Sequence, residues 1–315
     1  MTDLALRASA SAITRPRTLG ERIDAPRRLT LLAAGLVVVV VALLLAFIAW
    51  NGVQLFSHSG VPIPQVLSGT WRPDPTSEGG SSYGLLPFIL GTLAVMSLAA
   101  IIATPLSVGL ALFMAEVAPR WARSITQPAM EVFVGIPSVV YGWLGLTVLV
   151  PAIREHLGGL GFTLGFSWFA GGLVLSIMIL PTITSVALDA FTSVPAEQRR
   201  ASLALGTTRW QTIRHMLIPS AVGGVATGVV LGMMRAAGEA LAVQMVIGNR
   251  PVIPTGITDP LTTLTSQITL DMGNTVAGEP WNEALWTMGL ILLLLSFGFV
   301  TLVRRLARVR AERAG

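Results

Sequence analysis

The sequence predicts an all-α membrane protein with six transmembrane helices. Of its 315 residues, 53% are hydrophobic and 12% are charged, and the mean hydropathy is +0.72. That is more apolar surface than one water-soluble core can hide. Six segments reach the roughly 20 apolar residues that cross about 30 Å of hydrocarbon as helix, where every backbone polar group is satisfied internally. The arginines gather on alternate loops, as the topology of such a bundle requires.

Residues 1–28 form an arm with Arg7, Arg15, Arg17, Arg22, Arg27 and Arg28 among small and polar residues, read as cytoplasmic. The run from Leu29 to Trp50 is longer than a signal-peptide core, and no small-residue cleavage site follows it, so it stays as the first helix. Leu86 to Val117, Ala129 to Pro151, Trp168 to Phe191, Ser220 to Gly248 and Ala284 to Val303 supply the other five. With the N-terminus inside, all of the 21 arginines except Arg72, Arg154, Arg250 and Arg235 fall in cytoplasmic parts. That excess sets the orientation and makes both termini cytoplasmic. The membrane domain then spans 29–305, and 306–315 is a cytoplasmic tail. One topology rule accounts for the arginine clusters, so membrane lipid is an expected partner and nucleic acid is not.

The outer loop 51–85 is rich in Pro, Gly and Ser. In the outer loop 249–283, Leu261 to Met272 reads as a short helix dipping toward the membrane. Pro105, Pro137 and Pro181 lie inside membrane segments, where each removes a backbone donor and kinks its helix.

Several chemistries are excluded. The chain has no cysteine, which rules out disulfides and thiolate zinc sites. It has no lysine either, so a GxxxxGK[ST] phosphate loop is impossible and any ATP is hydrolysed by a partner. There is no HExxH pair and no GxSxG elbow. His58, His156 and His215 all read as loop residues exposed to solvent. No catalytic residue, metal or cofactor is expected.

Four ionisable residues fall within or near the apolar spans: Glu131, Asp189, Arg235 and Glu239. At a helix centre each costs about 2.5–3.5 kcal/mol and needs a partner or an aqueous cavity. Glu131 and Asp189 are close enough to the cytoplasmic ends to reach the interface. Arg235 reads as central in the fifth helix, with Glu239 one turn on along the same face. This pair is either a buried ion pair that fixes packing or the lining of an anion pathway, since a guanidinium offers paired donors to a tetrahedral oxyanion.

Residues 194–219 join the fourth and fifth spans on the cytoplasmic side. They read as a short helix, a glycine break and a second amphipathic helix carrying Arg209 and Trp210, a surface on which a soluble partner can dock. This stretch resembles the coupling loop of binding-protein-dependent ABC importer permeases: Glu-Ala-Ala, three residues, Gly, then a hydrophobic-Pro ending. Ala201, Gly206 and Pro219 match in place, while Arg200 stands where that family usually has Glu and Ser202 where it has Ala.

The Arg235-Ala236-Ala237-Gly238-Glu239 segment is similar to the Arg-x-x-Gly-Glu segment of phosphate permeases. Ile136 to Gly142, Gly69 to Pro73 and Leu86 to Thr92 agree with it. The last two, together with Leu264-Thr265-Ser266, resemble the PstC-type subunit over its PstA-type partner. The resemblance runs from about residue 29 to 305. It implies a type I ABC importer (MetI-like) permease fold and a channel-forming subunit of an ATP-driven phosphate importer in the bacterial inner membrane.

The implied partners are a second permease of PstA type, a cytoplasmic ATPase dimer of PstB type and an extracytoplasmic phosphate-binding protein of PstS type. Arg235 and Glu239 would line the substrate pathway. Ala201, Gly206, Arg209, Trp210 and Pro219 would belong to the ATPase coupling loop, and Pro137 and Pro181 to the moving helices. The alternatives are a permease for molybdate or sulfate, which shares the coupling loop, and a membrane enzyme or receptor.

Overall fold

A computed structural model of the chain describes residues 19–74, 76 and 80–314. Residues 1–18, with Arg7, Arg15 and Arg17 of the expected arm, lie outside them. Helix α1 (Leu19–Ser57) contains the first apolar run. The chain divides into a unit of residues 1–50, whose side chains from 29 to 47 are all exposed, and a unit from Asn51 onward that contains the bundle.

In the second unit, α2 (Ile63–Val66) and the two-stranded ribbon β1 (Trp71–Arg72) and β2 (Ser82–Tyr83) fold the first outer loop over the start of α3 (Leu86–Leu112). Trp71 meets Tyr83 and Phe88 edge to face, with ring centroids 6.2 and 5.2 Å apart. Thus two of the segments that carried the resemblance, 69–73 and 86–92, pack against each other.

Helix α3 ends in a π-helical turn, Phe113–Val117. Next come α4 (Arg120–Gly135), α5 (Ser138–Leu144), a second π-helical turn Gly145–Leu149 and α6 (Val150–Leu157). The expected single third span is instead a pair of helical stretches bent by 91° at Ile136-Pro137. Proline cannot donate and pushes the preceding residue out of helical conformation, and Ile136 is extended with ψ 127. The Tyr141 hydroxyl donates to the Phe133 carbonyl at 2.8 Å and bridges the bend.

Helix α7 (Trp168–Thr192) runs unbroken through Pro181, as α3 does through Pro105. These two helices pack closely. A Cβ on Gly172 would stand 2.5 Å from Leu98, so the glycine is what lets them approach. The cytoplasmic-loop region forms α8 (Ala196–Ala204), α9 (Arg209–Thr212) and a third π-helical turn, Ile213–Leu217, leading into α10 (Ile218–Ala237). The short α11 (Leu241–Gln244), α12 (Leu264–Asp271) and α13 (Pro280–Ala314) complete the order. Among the described residues, five helices are long and apolar enough to cross a membrane, and the bent pair, taken as one span, brings the number to six. The short helix expected in 261–272 is present as α12, and α13 continues as helix through 306–314.

The main core joins α3, α5, α7, α10 and α11 around Val95, Ala99, Val174, Ile179, Ile183 and Val246. A second apolar cluster surrounds Leu85, Phe88 and Leu285 at one end of the bundle. A third surrounds Ala187, Phe191 and Leu217 at the other.

Candidate functional site

Helix α10 is built to lie flush on α7. Gly224, Gly228 and Gly232 recur every fourth residue, one face of a helix, and a Cβ on any of them would press on Ala190, Val186 or Ile183. Small residues at this spacing let two membrane helices approach closely. This stripe is legible in the sequence as three glycines at a spacing of four. It settles what Arg235 meets, because Arg235 comes three residues after Gly232 on the side turned to α7.

There the Arg235 guanidinium donates through Nη1 to the Thr182 hydroxyl oxygen at 3.1 Å. Thr182 is fourteen residues after the start of α7 and ten before its end, about 21 and 15 Å along the helix axis. Arg235 therefore reaches the middle of a membrane-spanning helix.

The expected geometry of its neighbour is not found. Arg235 is in the last turn of α10, not at the centre of a long helix, because α10 stops at Ala237 and the chain breaks through Gly238, Glu239 and Ala240. Glu239 is therefore not one turn along a shared face, and no ion pair joins it to Arg235. Its carboxylate accepts from the Ala242 N–H at 3.4 Å, and its backbone carbonyl, left without a helical donor, accepts from the Thr265 hydroxyl at 2.8 Å.

The break is a consequence of tertiary contacts. Gly238 weakens the helix locally. Thr265 satisfies a carbonyl that would otherwise be orphaned. Gly142 lets α11 pack directly on α5, since a Cβ there would stand 2.8 Å from the Ala242 Cα. Beyond the break, a cluster of buried hydroxyls on Thr263, Thr265 and Ser266 caps α12, and Thr92 of α3 accepts from the Leu264 N–H at 3.0 Å. A Cβ on Gly91 would fall 2.2 Å from the Thr262 carbonyl. The Gly91-Thr92 pair thus serves the contact between α3 and this loop.

Residues 194–219 do form the expected helix, glycine break and helix. Gly206 has φ +81, which favours glycine. Thr208 then starts α9 with a capping box to Gln211. Ala201 and Gly206 help to line an open depression of about 670 Å³ with Gln198, Ser202 and Gln211. Leu205 and Trp210 are 85% and 63% exposed beside it. Pro219 is the second residue of α10, directly after the third π-helical turn.

This loop is anchored to the bundle by two residues that were not singled out from the sequence. Arg199 of α8 pairs with Glu116 at 2.9 Å and donates to the Phe191 carbonyl at 2.6 Å. Glu116 lies in the π-helical turn after α3, and Arg123 of α4 donates to the neighbouring Ala115 carbonyl at 3.0 Å. Glu116 was detectable as a charge inside the apolar segment Leu86 to Val117.

Of the other ionisable residues, Glu131 and Asp189 are exposed. His156 and His215 are exposed but helical, in α6 and the third π-helical turn. His58 follows α1 and pairs with the buried Glu283 of α13 at 2.7 Å, so it is more than a solvated loop residue.

Residues 107–311 match the family of binding-protein-dependent transport system inner membrane components. The chain is 48% identical over 285 residues, 90% of each chain, to a probable ABC transporter permease protein, YqgH, of Bacillus subtilis. It is 35% identical over 301 residues, again 90% of each, to the phosphate transport system permease protein PstC of Xylella fastidiosa. Among solved structures, it resembles a chain of a bacterial ABC transporter involved in the import of alginate, with TM-score 0.61 and 18% identity over 91% of this chain and 98% of that one. At that identity the likeness concerns the fold.

Proposed function

Because the chain belongs to the family of binding-protein-dependent transport system inner membrane components, we propose that it is the PstC-type permease subunit of an ATP-driven importer of inorganic phosphate. It is a multi-pass inner-membrane ABC importer permease and not an enzyme; in such systems the ATPase is a separate subunit. The proposal adds the substrate, the pathway and the coupling.

One observation carries the substrate reading. The Arg235 guanidinium reaches the middle of a membrane span with a neutral hydroxyl as its hydrogen-bond partner and, among the described residues, no carboxylate at ion-pair distance. A cation kept at that depth needs a counter-charge, and an oxyanion in transit supplies it through the paired donors of the guanidinium. Glu239 then acts through its backbone position at the break and not by neutralising Arg235.

In this reading both termini face the cytoplasm, the partners are a PstA-type permease, a PstB-type ATPase dimer and a PstS-type binding protein, and residues 194–219 receive the ATPase. Closure of the ATPase moves α8, and Arg199 passes the motion to Glu116 and the end of α3. Pro137 lies at the bend between α4 and α5 and Pro181 within α7, and these helices rock around Arg235. The PstC protein of Xylella fastidiosa, similar over nearly the full length, supports phosphate over other oxyanions.

The test is uptake of radiolabelled phosphate by cells lacking their own high-affinity system, expressing this chain with its neighbouring permease, ATPase and binding protein. Uptake that requires the chain, persists in excess molybdate and sulfate, and disappears in Arg235→Ala with assembly retained is expected. An Arg235→Ala complex that transports at the full rate would remove the pathway assignment. Block by molybdate or sulfate would move the substrate to that anion.

A further inference from the structure

We infer that Thr182 is a second donor to the passing oxyanion, so that the binding point in this chain is a pair, Arg235 on α10 and Thr182 on α7. The inference rests on the Arg235 pathway reading and deepens it.

It starts from what threonine hydroxyls do inside helices. In an apolar span, the usual partner of a threonine O–H is the carbonyl four residues back. Thr184 and Thr192 on the same helix follow that rule, donating to Leu180 and Leu188 at 2.8 and 2.9 Å. So do Thr92, Thr147 and Thr227 on α3, the second π-helical turn and α10. Thr182 departs from that rule, as Thr104 of α3 does, and what sets Thr182 apart is its contact with a charged group. Its oxygen is turned to α10, where it accepts from Arg235, and among the described residues no carbonyl, carboxylate or other acceptor takes its proton.

A hydroxyl has one proton to give and two lone pairs. Here one lone pair is spent on the guanidinium and the proton is unspent. A partly buried donor left without an acceptor carries a desolvation cost, and the rotation that would remove it, back to the Met178 carbonyl, is not taken. The fold therefore holds an O–H donor within hydrogen-bond reach of the guanidinium that would attract the anion.

The combination suits a tetrahedral oxyanion. The guanidinium presents planar paired donors, and Thr182 adds one from a different helix, outside that plane. Accepting from Arg235 also polarises the Thr182 O–H and makes it a better donor. Because α7 and α10 contribute one member each, the pair is complete only while the two helices keep this spacing, which the Gly224, Gly228 and Gly232 stripe sets.

The experiment uses the whole importer in proteoliposomes with phosphate-loaded binding protein, and compares Thr182→Val, Thr182→Ser and Arg235→Ala with the wild type. Complex assembly is checked for each variant. Loss of a hydrogen bond to a charged ligand predicts a fall of about tenfold or more in phosphate transported per unit time for Thr182→Val. Thr182→Ser, which keeps the hydroxyl, should stay within about twofold of wild type. Thr182→Ala repeats the test with no added methyl contact should the valine disturb assembly.

Equal loss in the serine and valine variants would make the side chain a packing element and overturn the inference. So would wild-type transport by Thr182→Val alongside a dead Arg235→Ala. Full transport by Arg235→Ala would instead overturn the pathway reading on which the inference stands. A double variant, Arg235→Lys with Thr182→Val, should lose less than the product of the single losses, since the two groups act on one anion.

Discussion

Replacing Gly142 with alanine is expected to pry α5 from α11 and disturb transport without touching any charged residue. A Cβ at Gly142 stands 2.8 Å from both the Ala242 Cα and the Met245 sulfur, whereas carbon atoms rest about 3.5–4.0 Å apart. The methionine side chain swings aside at little cost. The Ala242 backbone does not, so the two segments separate by about 0.7–1.2 Å.

Overpacking of this kind costs about 1–3 kcal/mol, and the better helix propensity of alanine returns roughly 1 kcal/mol. The net loss is up to about 2 kcal/mol. Since α11 begins two residues after Glu239, the displacement falls on the break that follows Arg235. The assay is thermal unfolding of the purified complex together with phosphate uptake. Gly135→Ala is the matched control, because nothing lies within 4 Å of a Cβ there. Unfolding and uptake unchanged in Gly142→Ala would refute the argument that close approach of these segments shapes the site.

Three further outcomes are expected. Gly206→Val forces a branched residue to φ +81 at a strain of about 1–2 kcal/mol, and it should reduce stimulation of the ATPase by loaded binding protein while the membrane domain still assembles; normal stimulation would count against the docking role. Glu116→Gln and Arg199→Ala should each weaken that stimulation, and the double variant should be no worse than either, a non-additivity that marks a shared contact; additive losses would separate the two residues.

Asp259 accepts from the Thr255 hydroxyl, the Thr255 N–H and the Gly256 N–H, and these bonds hold its carboxyl below its ordinary value of 3.8. The charged form is the one the fold favours, so this contribution is fully present above about pH 4 and is lost as pH falls through the lower folded value. Pepsin cleavage of the 250–260 loop should rise only at the acid end, and Asp259→Asn should remove that dependence.

Some of this was legible locally. Hydropathy marked the spans, because a helix in hydrocarbon must be apolar over a fixed length whatever its neighbours. The fold of 194–219 was equally legible, since a helix stop at Gly206 and a start at Thr208 depend on the conformational freedom and side-chain reach of single residues. Pro137 announced a break in the same way, though not that it would bend the third span through 91°.

The site itself was not legible. One-turn arithmetic placed Glu239 beside Arg235 only by assuming that α10 continues, and whether a helix continues past Gly238 depends on Thr265, which is 26 residues beyond Glu239, and on the contact at Gly142. The same holds for Thr182, which is 53 residues from the arginine it faces, and for the grip of Arg199 on Glu116.

The sequence alone therefore determined that this chain crosses a membrane, where its spans and the helix–glycine–helix loop 194–219 lie, and that it carries an arginine within an apolar span. Only the tertiary structure decided which groups that arginine meets. Span length and turn chemistry are properties of neighbours along the chain, whereas a helix break inside the bilayer survives only where distant residues take up the backbone groups it frees.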